Sequence, residues 1–240
     1  MTPVIHIVPI LRDNYCFLIE GADKACFIVD PGQVVPVESY IKAHDLRPIM
    51  ILNTHHHADH VAGNADLKMR YNIPVTGPAA ESAKIPALTK GVKESDVIEE
   101  AGIHLSVMET PGHTNGHISF YCAGLSALFC GDTLFSMGCG RLIEGNAETL
   151  YNSLKKIKSL PSQTLIYCGH EYTEANGKFA LSVDPQNQDI PKRMKEVSSY
   201  LSNSMPTIPV TLETEMKTNP FLRAINLRVF TELRSQKDHF

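Results

Sequence analysis

The sequence predicts a mixed α/β fold followed by a small helical region. Up to about residue 170, short apolar runs typical of buried strands alternate with segments of helical periodicity. Several of these runs end at histidine or aspartate residues, which are side chains that bind metals. Beyond residue 170 helical periodicity dominates and strands are hard to place. We therefore predict two domains, residues 1–170 and 171–240.

The first strand-rich block combines apolar runs with two helices. The third run ends at Asp30-Pro31-Gly32, and Asp30 fits either a turn cap or a carboxylate that supports a metal site. Asn64 precedes a helical segment as a candidate N-cap, and Asn72 closes that segment. The predicted strands are 4–8, 15–20, 25–29, 49–52 and 74–76, and the predicted helices are 37–44 and 65–71.

The second block repeats this arrangement after an irregular stretch at residues 77–100. Asn146 is a candidate N-cap for a helix with Leu150, Leu154 and Ile157 on one face. Residues 134–145 contain three glycines and are predicted to form a loop over the site. The predicted strands are 103–109, 117–122, 125–130 and 164–168, and the predicted C-terminal helices are 174–183, 191–203 and 224–236.

Composition limits the functional classes. With 240 residues and a net charge of −4, the chain has no basic field that would attract nucleic acid. The apolar runs are too short to span a membrane, and Arg12 and Asp13 interrupt the N-terminal one. The six cysteines form no CxxC pair and are expected to be buried, reduced thiols. We expect a cytoplasmic, monomeric enzyme that binds neither nucleic acid nor membrane.

Four imidazoles and one carboxylate fall within six consecutive positions, residues 55–60. Such groups are costly to bury without partners, and a metal ion suits imidazole nitrogen and carboxylate oxygen. Alternate side chains of an extended segment share a direction, so His55 and His57 can bind one ion while His56 points away. Asp59 and His60 follow at a turn and can face a second ion.

Three further candidate ligands, His113, Asp132 and His170, each directly follow a glycine at the end of an apolar run. The candidates then number seven, five histidines and two aspartates. If one aspartate is shared, each of two ions receives three other ligands, as in a two-metal hydrolytic centre. Cys130 and Cys168 lie two residues before candidate ligands, but the histidines and aspartates complete both sites without a thiolate.

The run THHHADH, followed by PGHT, GDT and GHE, resembles the metallo-β-lactamase superfamily. Within it, the chain resembles the glyoxalase II (hydroxyacylglutathione hydrolase) family. The motifs that carry this likeness are Gly138-Cys139-Gly140-Arg141 and residues 169–173, 219–223 and 234–238. The resemblance spans nearly the whole chain. It implies a four-layer αββα sandwich with a C-terminal helical, substrate-binding domain, whereas periodicity alone supports only a mixed α/β fold.

The resemblance also implies a role for each candidate ligand. It implies that the middle histidine, His56, is not a metal ligand. Asp59 and Asp132 are the catalytic carboxylates, acting with a metal-bridging hydroxide that attacks a thioester carbonyl. Two divalent ions are expected, with zinc as the default and iron or manganese as alternatives. The implied ligands are His55, His57 and His113 for the first ion, Asp59, His60 and His170 for the second, and Asp132 between them.

The implied substrate is S-(2-hydroxyacyl)glutathione, such as S-D-lactoylglutathione. Its hydrolysis to glutathione and a 2-hydroxy acid, D-lactate, is the second step of methylglyoxal detoxification. Glutathione is anionic, and by resemblance Arg234 and Lys237 bind its glycine carboxylate. Arg141 and Tyr172 match further contact positions. Ile143 stands where some members have an aromatic residue, so the hydroxyl contact of those members is missing here.

Two alternatives remain open from the sequence. The same scaffold could serve a persulfide dioxygenase with one iron, or another hydrolase such as a lactonase or nuclease, although the C-terminal segment and the charge disfavour the latter two. A metal-dependent binding protein without turnover is an alternative of another class. Metal stoichiometry and thioester hydrolysis separate these hypotheses.

Overall fold

The computed structural model describes residues 3–240, so the first two residues of the predicted first domain lie outside it. The chain divides into two compact units. One contains the residues up to Glu109 together with Gly116–Gly131, and the other contains Thr110–Asn115 and Asp132–Phe240. The predicted domain boundary at residue 170 stays a prediction.

The first unit contains a six-stranded sheet whose strands lie in sequence order. Its first three strands pair antiparallel, and the last three continue in parallel. Five of these six strands coincide with the short apolar runs of the sequence. The sixth lies in the stretch 77–100, for which the irregular prediction was wrong. The strands are β1 (Val4–Ile10), β2 (Asn14–Glu20), β3 (Ala25–Val29), β4 (Arg47–Leu52), β5 (Val75–Pro78) and β6 (Lys90–Val92).

A second, antiparallel array in the same unit comprises β7 (Val97–Glu100), β8 (Ile103–Glu109), β9 (Ile118–Cys122) and β10 (Ala127–Gly131). The predicted hairpin of β9 and β10 is present, closed by a short 3₁₀ turn at Ala123–Leu125. Strand β7 also lies in the stretch predicted to be irregular. In β8 the alternate side chains Ile103, Leu105 and Val107 are buried, as the period of two predicted.

Side chains that alternate along β2 pack on opposite faces of the first sheet. Leu18 joins a buried cluster with Val37 and Leu67, which lie on helices α1 (Val34–Ala43) and α3 (Asn64–Tyr71). Phe17 points to the other face, where its ring centroid lies 5.5 Å from that of Phe129 on β10. Within this unit, helices therefore cover one face of the first sheet and the second array covers the other.

Helix α3 begins differently from the prediction. Gly63 occupies the N-cap position. Asn64 is the first residue of the helix, and its side chain makes no capping hydrogen bond. The Asn64 amide instead donates to Asn53 Oδ1 at 2.7 Å and to the Pro86 carbonyl at 3.2 Å. The predicted cap was wrong because tertiary contacts engage this side chain. The helix ends at Asn72, in the left-handed conformation, as predicted.

The second unit is mainly helical, with two small antiparallel strand pairs. Asn146 Oδ1 caps the first helix by accepting a hydrogen bond from the Thr149 N–H at 2.9 Å, as predicted. None of the helices formed by residues 3–240 has the length and apolar character needed to cross a membrane. The elements are β11 (Leu134–Phe135) with β12 (Gly138–Cys139), β13 (Leu165–Cys168) with β14 (Val210–Thr211), α4 (Ala147–Lys158), α5 (Thr173–Val183), α6 (Asp189–Ser202), α7 (Leu212–Thr218), α8 (Pro220–Arg223) and α9 (Leu227–Asp238).

Candidate metal centre and adjoining cavity

The histidine-rich run follows β4 and leads into the short helix α2 (Ala58–Val61) of the first unit. His55 is fully buried and His57 is partly buried. Nε2 of His55 lies 3.1 Å from Nδ1 of His57. Two nitrogen ligands of a tetrahedral zinc ion, each about 2.0–2.1 Å from the metal, lie about 3.3 Å apart. The two rings are therefore spaced as ligands of one ion would be.

His56 forms a hydrogen bond with a carboxylate, that of Glu81. Its Nδ1 lies 2.8 Å from Oε2 of Glu81, which is 3% exposed. The other oxygen of Glu81 accepts a hydrogen bond from the Gly116 N–H at 3.0 Å. The middle histidine of the run, itself partly buried, thus pairs with a buried carboxylate, consistent with the alternation that directs it away from His55 and His57.

Asp30 orients the rings of two other histidines. It is 2% exposed, and its carboxylate accepts hydrogen bonds from the Thr54 hydroxyl at 2.6 Å and from Nδ1 of His60 at 3.1 Å. Because the Thr54 hydroxyl donates to Asp30, its oxygen accepts from Nδ1 of His55, 3.0 Å away. Both histidines then carry their proton on Nδ1, which leaves each Nε2 lone pair for a metal. Of the two predicted interpretations of Asp30, the structure favours the supporting carboxylate.

Asp59 is held by a residue that the sequence analysis overlooked. Asn14, 5% exposed at the start of β2, donates its amide to Asp59 Oδ2 at 2.8 Å. That same oxygen lies 3.5 Å from Nε2 of His60. Asn14 appears in the sequence only as part of the turn after β1, and no local pattern links it to a residue 45 positions away. It acts as an orienting group for the carboxylate.

The second unit brings together the other three candidates. Asp132 Oδ2 lies 3.5 Å from Nε2 of His113 and 3.3 Å from Nε2 of His170. All three residues are at most 6% exposed. Nδ1 of His113 donates to the Arg141 carbonyl at 2.9 Å, which again leaves Nε2 for coordination. One carboxylate oxygen between two imidazoles is an arrangement suited to an aspartate shared by two ions.

The glycine before His113 is a steric requirement. Gly112 has φ of 141°, and a Cβ there would lie 2.5 Å from Cβ of Leu150 on α4. Only glycine accepts this conformation together with such a close approach. The sequence pattern of a ligand directly after a glycine therefore has a physical basis at this position.

The residues present fit divalent metal ions. The first unit supplies two imidazoles whose Nδ1 is bound to a protein acceptor, the second unit supplies one, and each unit adds a carboxylate. Cysteine ligands are not required: all six cysteines are buried without disulfides, and the Cys168 thiol donates to the His170 carbonyl at 3.5 Å. The donor set of nitrogen and oxygen therefore suits zinc, iron or manganese.

A cavity of about 350 Å³ lies within the second unit beside His113 and Asp132. All four residues predicted to contact substrate line this cavity. Candidate metal ligands and candidate substrate contacts therefore share one cavity wall. The lining residues are His113, Asp132, Phe135, Cys139, Arg141, Tyr172, Ala175, Asn176, Arg234, Lys237 and Asp238.

Arg234 is 3% exposed, which excludes a solvated C-terminal charge cluster as its role. Its Nη1 donates to the Cys139 carbonyl at 2.9 Å, and its Nη2 pairs with Asp238 at 2.9 Å. The guanidinium carbon lies 5.1 Å from the Phe221 ring centroid. These contacts hold a buried cation at the cavity wall.

Lys237 lies one turn further along α9, and both cations line the cavity. Its Nζ lies 3.3 Å from the Ala175 carbonyl and 5.2 Å from the Phe179 ring centroid. Burial lowers the pKa of Lys237, and the nearby charge of Arg234 lowers it further. The C-terminal part of α9 thus presents two neighbouring cations to any anionic group in the cavity.

Tyr172 and Arg141 complete the predicted contacts. The Tyr172 ring stacks on His170 with centroids 4.6 Å apart and an interplanar angle of 11°. Arg141 is exposed at the cavity rim, while its carbonyl accepts the His113 hydrogen bond. Ile143 is 52% exposed and offers only hydrocarbon. Tyr172 and Arg141 therefore line the same cavity as Arg234 and Lys237, and Ile143 is not among its lining residues; their contacts with substrate stay predictions.

Comparison with known sequences divides the chain between two families. Residues 10–170 match the metallo-beta-lactamase superfamily, and residues 171–240 match the hydroxyacylglutathione hydrolase C-terminus. A hydroxyacylglutathione hydrolase of Rhodospirillum rubrum is 41% identical over 251 residues, covering 98% of each chain. That of Vibrio campbellii is 43% identical over 253 residues, covering 98% of this chain and 99% of the other.

Solved structures show the same fold at lower identity. ETHE1 from Myxococcus xanthus superimposes with a TM-score of 0.75 at 23% identity, covering 97% of this chain and 90% of that one. The BLEG-1 B3 metallo-beta-lactamase gives a TM-score of 0.71 at 24% identity, covering 91% and 99%. The predicted fold class is confirmed: a mixed α/β metallo-β-lactamase fold with two sheets and a C-terminal helical region.

Proposed function

Because this chain belongs to the hydroxyacylglutathione hydrolase family of the metallo-β-lactamase superfamily, we propose that it hydrolyses S-(2-hydroxyacyl)glutathione thioesters. Water adds to the thioester carbonyl, the C–S bond breaks, and the thiolate leaves and takes up a proton. The products are glutathione and a 2-hydroxy acid, D-lactate when the substrate is S-D-lactoylglutathione. The observation that carries this proposal is that one cavity is lined both by candidate metal ligands and by three cationic side chains.

The metal ligands are proposed to be His55, His57 and His113 for one ion, Asp59, His60 and His170 for the other, and Asp132 for both. Two ions fit this set, and zinc suits its nitrogen and oxygen donors. When bound, the ions would lower the pKa of water and polarise the thioester carbonyl.

The chain's own residues orient these groups. Asp30 and Thr54 fix the tautomers of His55 and His60, and the Arg141 carbonyl fixes that of His113. Asp59 and Asp132, the proposed catalytic carboxylates, can each accept a hydrogen bond from the attacking water and so direct its lone pair. Preorganised groups of this kind require no rearrangement during the reaction.

Substrate binding is assigned to the cavity of the second unit. Arg234 and Lys237 are proposed to bind the glycine carboxylate of glutathione through charge-assisted hydrogen bonds. Tyr172 and Arg141 are proposed as further contacts along the cavity. The proposal thus divides the chain into a catalytic domain, residues 1–170, and a substrate-binding domain, residues 171–240. A monomeric state remains a prediction from sequence.

The test is steady-state hydrolysis of S-D-lactoylglutathione by the purified protein, with metal content measured on the same sample. Rapid turnover with about two ions per chain supports the proposal. One iron per chain with oxygen consumption on glutathione persulfide would identify a dioxygenase instead. Absence of thioester hydrolysis by protein with both sites filled would favour a binding protein and overturn the proposed reaction.

A further inference from the structure

The motif at residues 219–223 has no contact in the proposed reaction, yet its first side chain is completely buried. The Asn219 amide donates to the Gly138 carbonyl at 2.9 Å and to the Phe135 carbonyl at 3.1 Å. Its Oδ1 accepts the Phe221 N–H at 3.0 Å and caps α8. One side chain therefore joins the turn between β11 and β12 to the start of α8.

Glu215 on α7 reinforces the same turn. Its Oε2 accepts hydrogen bonds from the Met137 N–H at 2.8 Å and from the Asn219 amide at 2.9 Å, and its Oε1 accepts from the Ser136 hydroxyl at 2.9 Å. Glu215 is 0% exposed, and burial raises its pKa while these donors oppose the rise. Three donors directed at one buried carboxylate form a satisfied network, which fixes the turn at residues 136–137.

The turn and α8 both contact the Arg234 guanidinium, whose Nη2 also pairs with Asp238. Its Nη1 donates to the carbonyls of Cys139 and Gly140, at 2.9 and 3.4 Å, directly after the Gly138 carbonyl that Asn219 binds. The Phe221 ring beside the guanidinium belongs to the helix that Asn219 caps. The carbonyl bonds and the ring contact therefore both depend on the Asn219 side chain, whereas the ion pair with Asp238 does not.

We propose that Asn219, supported by Glu215, is a positioning residue for the Arg234 guanidinium and so sets affinity for the terminal carboxylate of the substrate. This proposal rests on the proposed function of Arg234. Asn219 is not among the residues that line the cavity, and it acts only through the carbonyls and the ring that hold the cation. Its loss should weaken binding of glutathione more than it slows the chemical step.

The variant Asn219→Ser separates the two roles of this side chain. Serine is a good N-cap and can keep the bond to the Phe221 N–H, but it is too short to donate to the two carbonyls of the turn. For the zinc-loaded full chain we expect KM for S-D-lactoylglutathione and Kd for glutathione to rise about tenfold, with kcat within about twofold. Asn219→Ala is the second variant, and it loses the cap as well.

Asn187→Ala is the matched control. Asn187 is also a buried asparagine of the second unit that donates to a backbone carbonyl, that of Lys217 at 2.9 Å, but it does not contact the turn. Its removal should lower stability and leave KM unchanged. Glu215→Gln keeps an oxygen for Met137 and Asn219 and can donate to Ser136, so it should keep the wild-type KM, whereas Glu215→Ala should raise it.

A double-mutant cycle decides whether Asn219 acts through Arg234. The Asn219→Ser change should add nothing to the KM of Arg234→Ala, since the positioned group is already absent. An undiminished effect in that background, or an unchanged KM for Asn219→Ser alone, would overturn the proposal. If the wild-type protein neither binds glutathione nor hydrolyses the thioester, the proposed function fails. The NMR signal of the Arg234 Nε–H then remains a direct readout, and an unchanged signal in Asn219→Ser rejects the positioning role.

Discussion

Asp30 accepts two hydrogen bonds from Thr54, one from the backbone N–H at 2.8 Å and one from the hydroxyl at 2.6 Å. The second bond directs the hydroxyl proton away from His55, whose Nδ1 then donates to the hydroxyl oxygen. The same carboxylate accepts from Nδ1 of His60. A single buried acceptor thus prepares two candidate metal ligands, because imidazole binds a metal through the nitrogen that carries no proton.

Asp30→Asn should lower metal affinity about 10- to 100-fold, although no proposed ligand is changed. An amide that keeps its oxygen toward the Thr54 N–H turns its NH₂ toward Nδ1 of His60, which favours the tautomer with the proton on Nε2. Metal content after dialysis against a graded chelator measures the effect. Asp96→Asn, which changes a partly buried turn carboxylate bound to the Lys93 N–H, is the control and should keep its metal. Equal metal retention by both variants would refute the role of Asp30.

Gly112→Ala should destabilise the protein by about 2–3 kcal/mol and displace His113. The new methyl group would meet Leu150 of α4 at 2.5 Å in a backbone conformation that disfavours any side chain. Urea unfolding gives the stability, and the metal content of the folded fraction gives the effect on the site. Gly124→Ala is the control because no atom lies within 4 Å of the added Cβ. The steric argument fails if the two variants are equally stable.

The thiols should be unreactive in the folded protein. All six cysteines are buried, and burial raises the pKa of Cys26 to about 12 and that of Cys139 to about 11. Titration with a disulfide reagent at neutral pH should detect less than about one thiol per native chain. The same assay in denaturant should detect all six. Rapid labelling of native protein would show that one of these side chains opens to solvent.

Much of the fold could be predicted because its strands are apolar runs bounded by turn residues. The exceptions share a physical cause. Strands β6 and β7 each bury only one side chain, and β11, β12 and β14 are two residues long, so none has a periodic signal. Helix α1 starts at Val34, three residues before its prediction, because Pro36 is tolerated in a first turn.

The candidate ligands could be found from sequence because imidazoles and carboxylates at strand ends form a dense chemical pattern. The groups that orient them could not. Asn14 and Asp30 reach Asp59 and His60 across 45 and 30 residues, and their own neighbourhoods show only turn chemistry. The sequence identifies Asn219 as part of a motif, but it does not predict the contact with the Gly138 carbonyl, 81 residues away. Such roles require tertiary structure.

Arg234→Ala and Lys237→Ala should each raise KM for the glutathione thioester about tenfold or more, as expected for loss of a charge-assisted hydrogen bond. Lys178→Ala, which removes an exposed lysine paired with Glu174, should leave KM unchanged. If both cavity variants keep the wild-type KM, the carboxylate of the substrate does not bind there.

The pH dependence of KM distinguishes the two cations further. Burial, and then the charge of Arg234, lower the pKa of Lys237 below 10.5, so the lysine loses its charge as pH rises through that lowered value. KM should therefore rise on the alkaline side in the wild-type protein. In Arg234→Ala the neighbouring charge is gone, the pKa of Lys237 moves back up, and the alkaline rise in KM should move to higher pH. In Lys237→Ala that rise should disappear, and its persistence would assign the titration to another group.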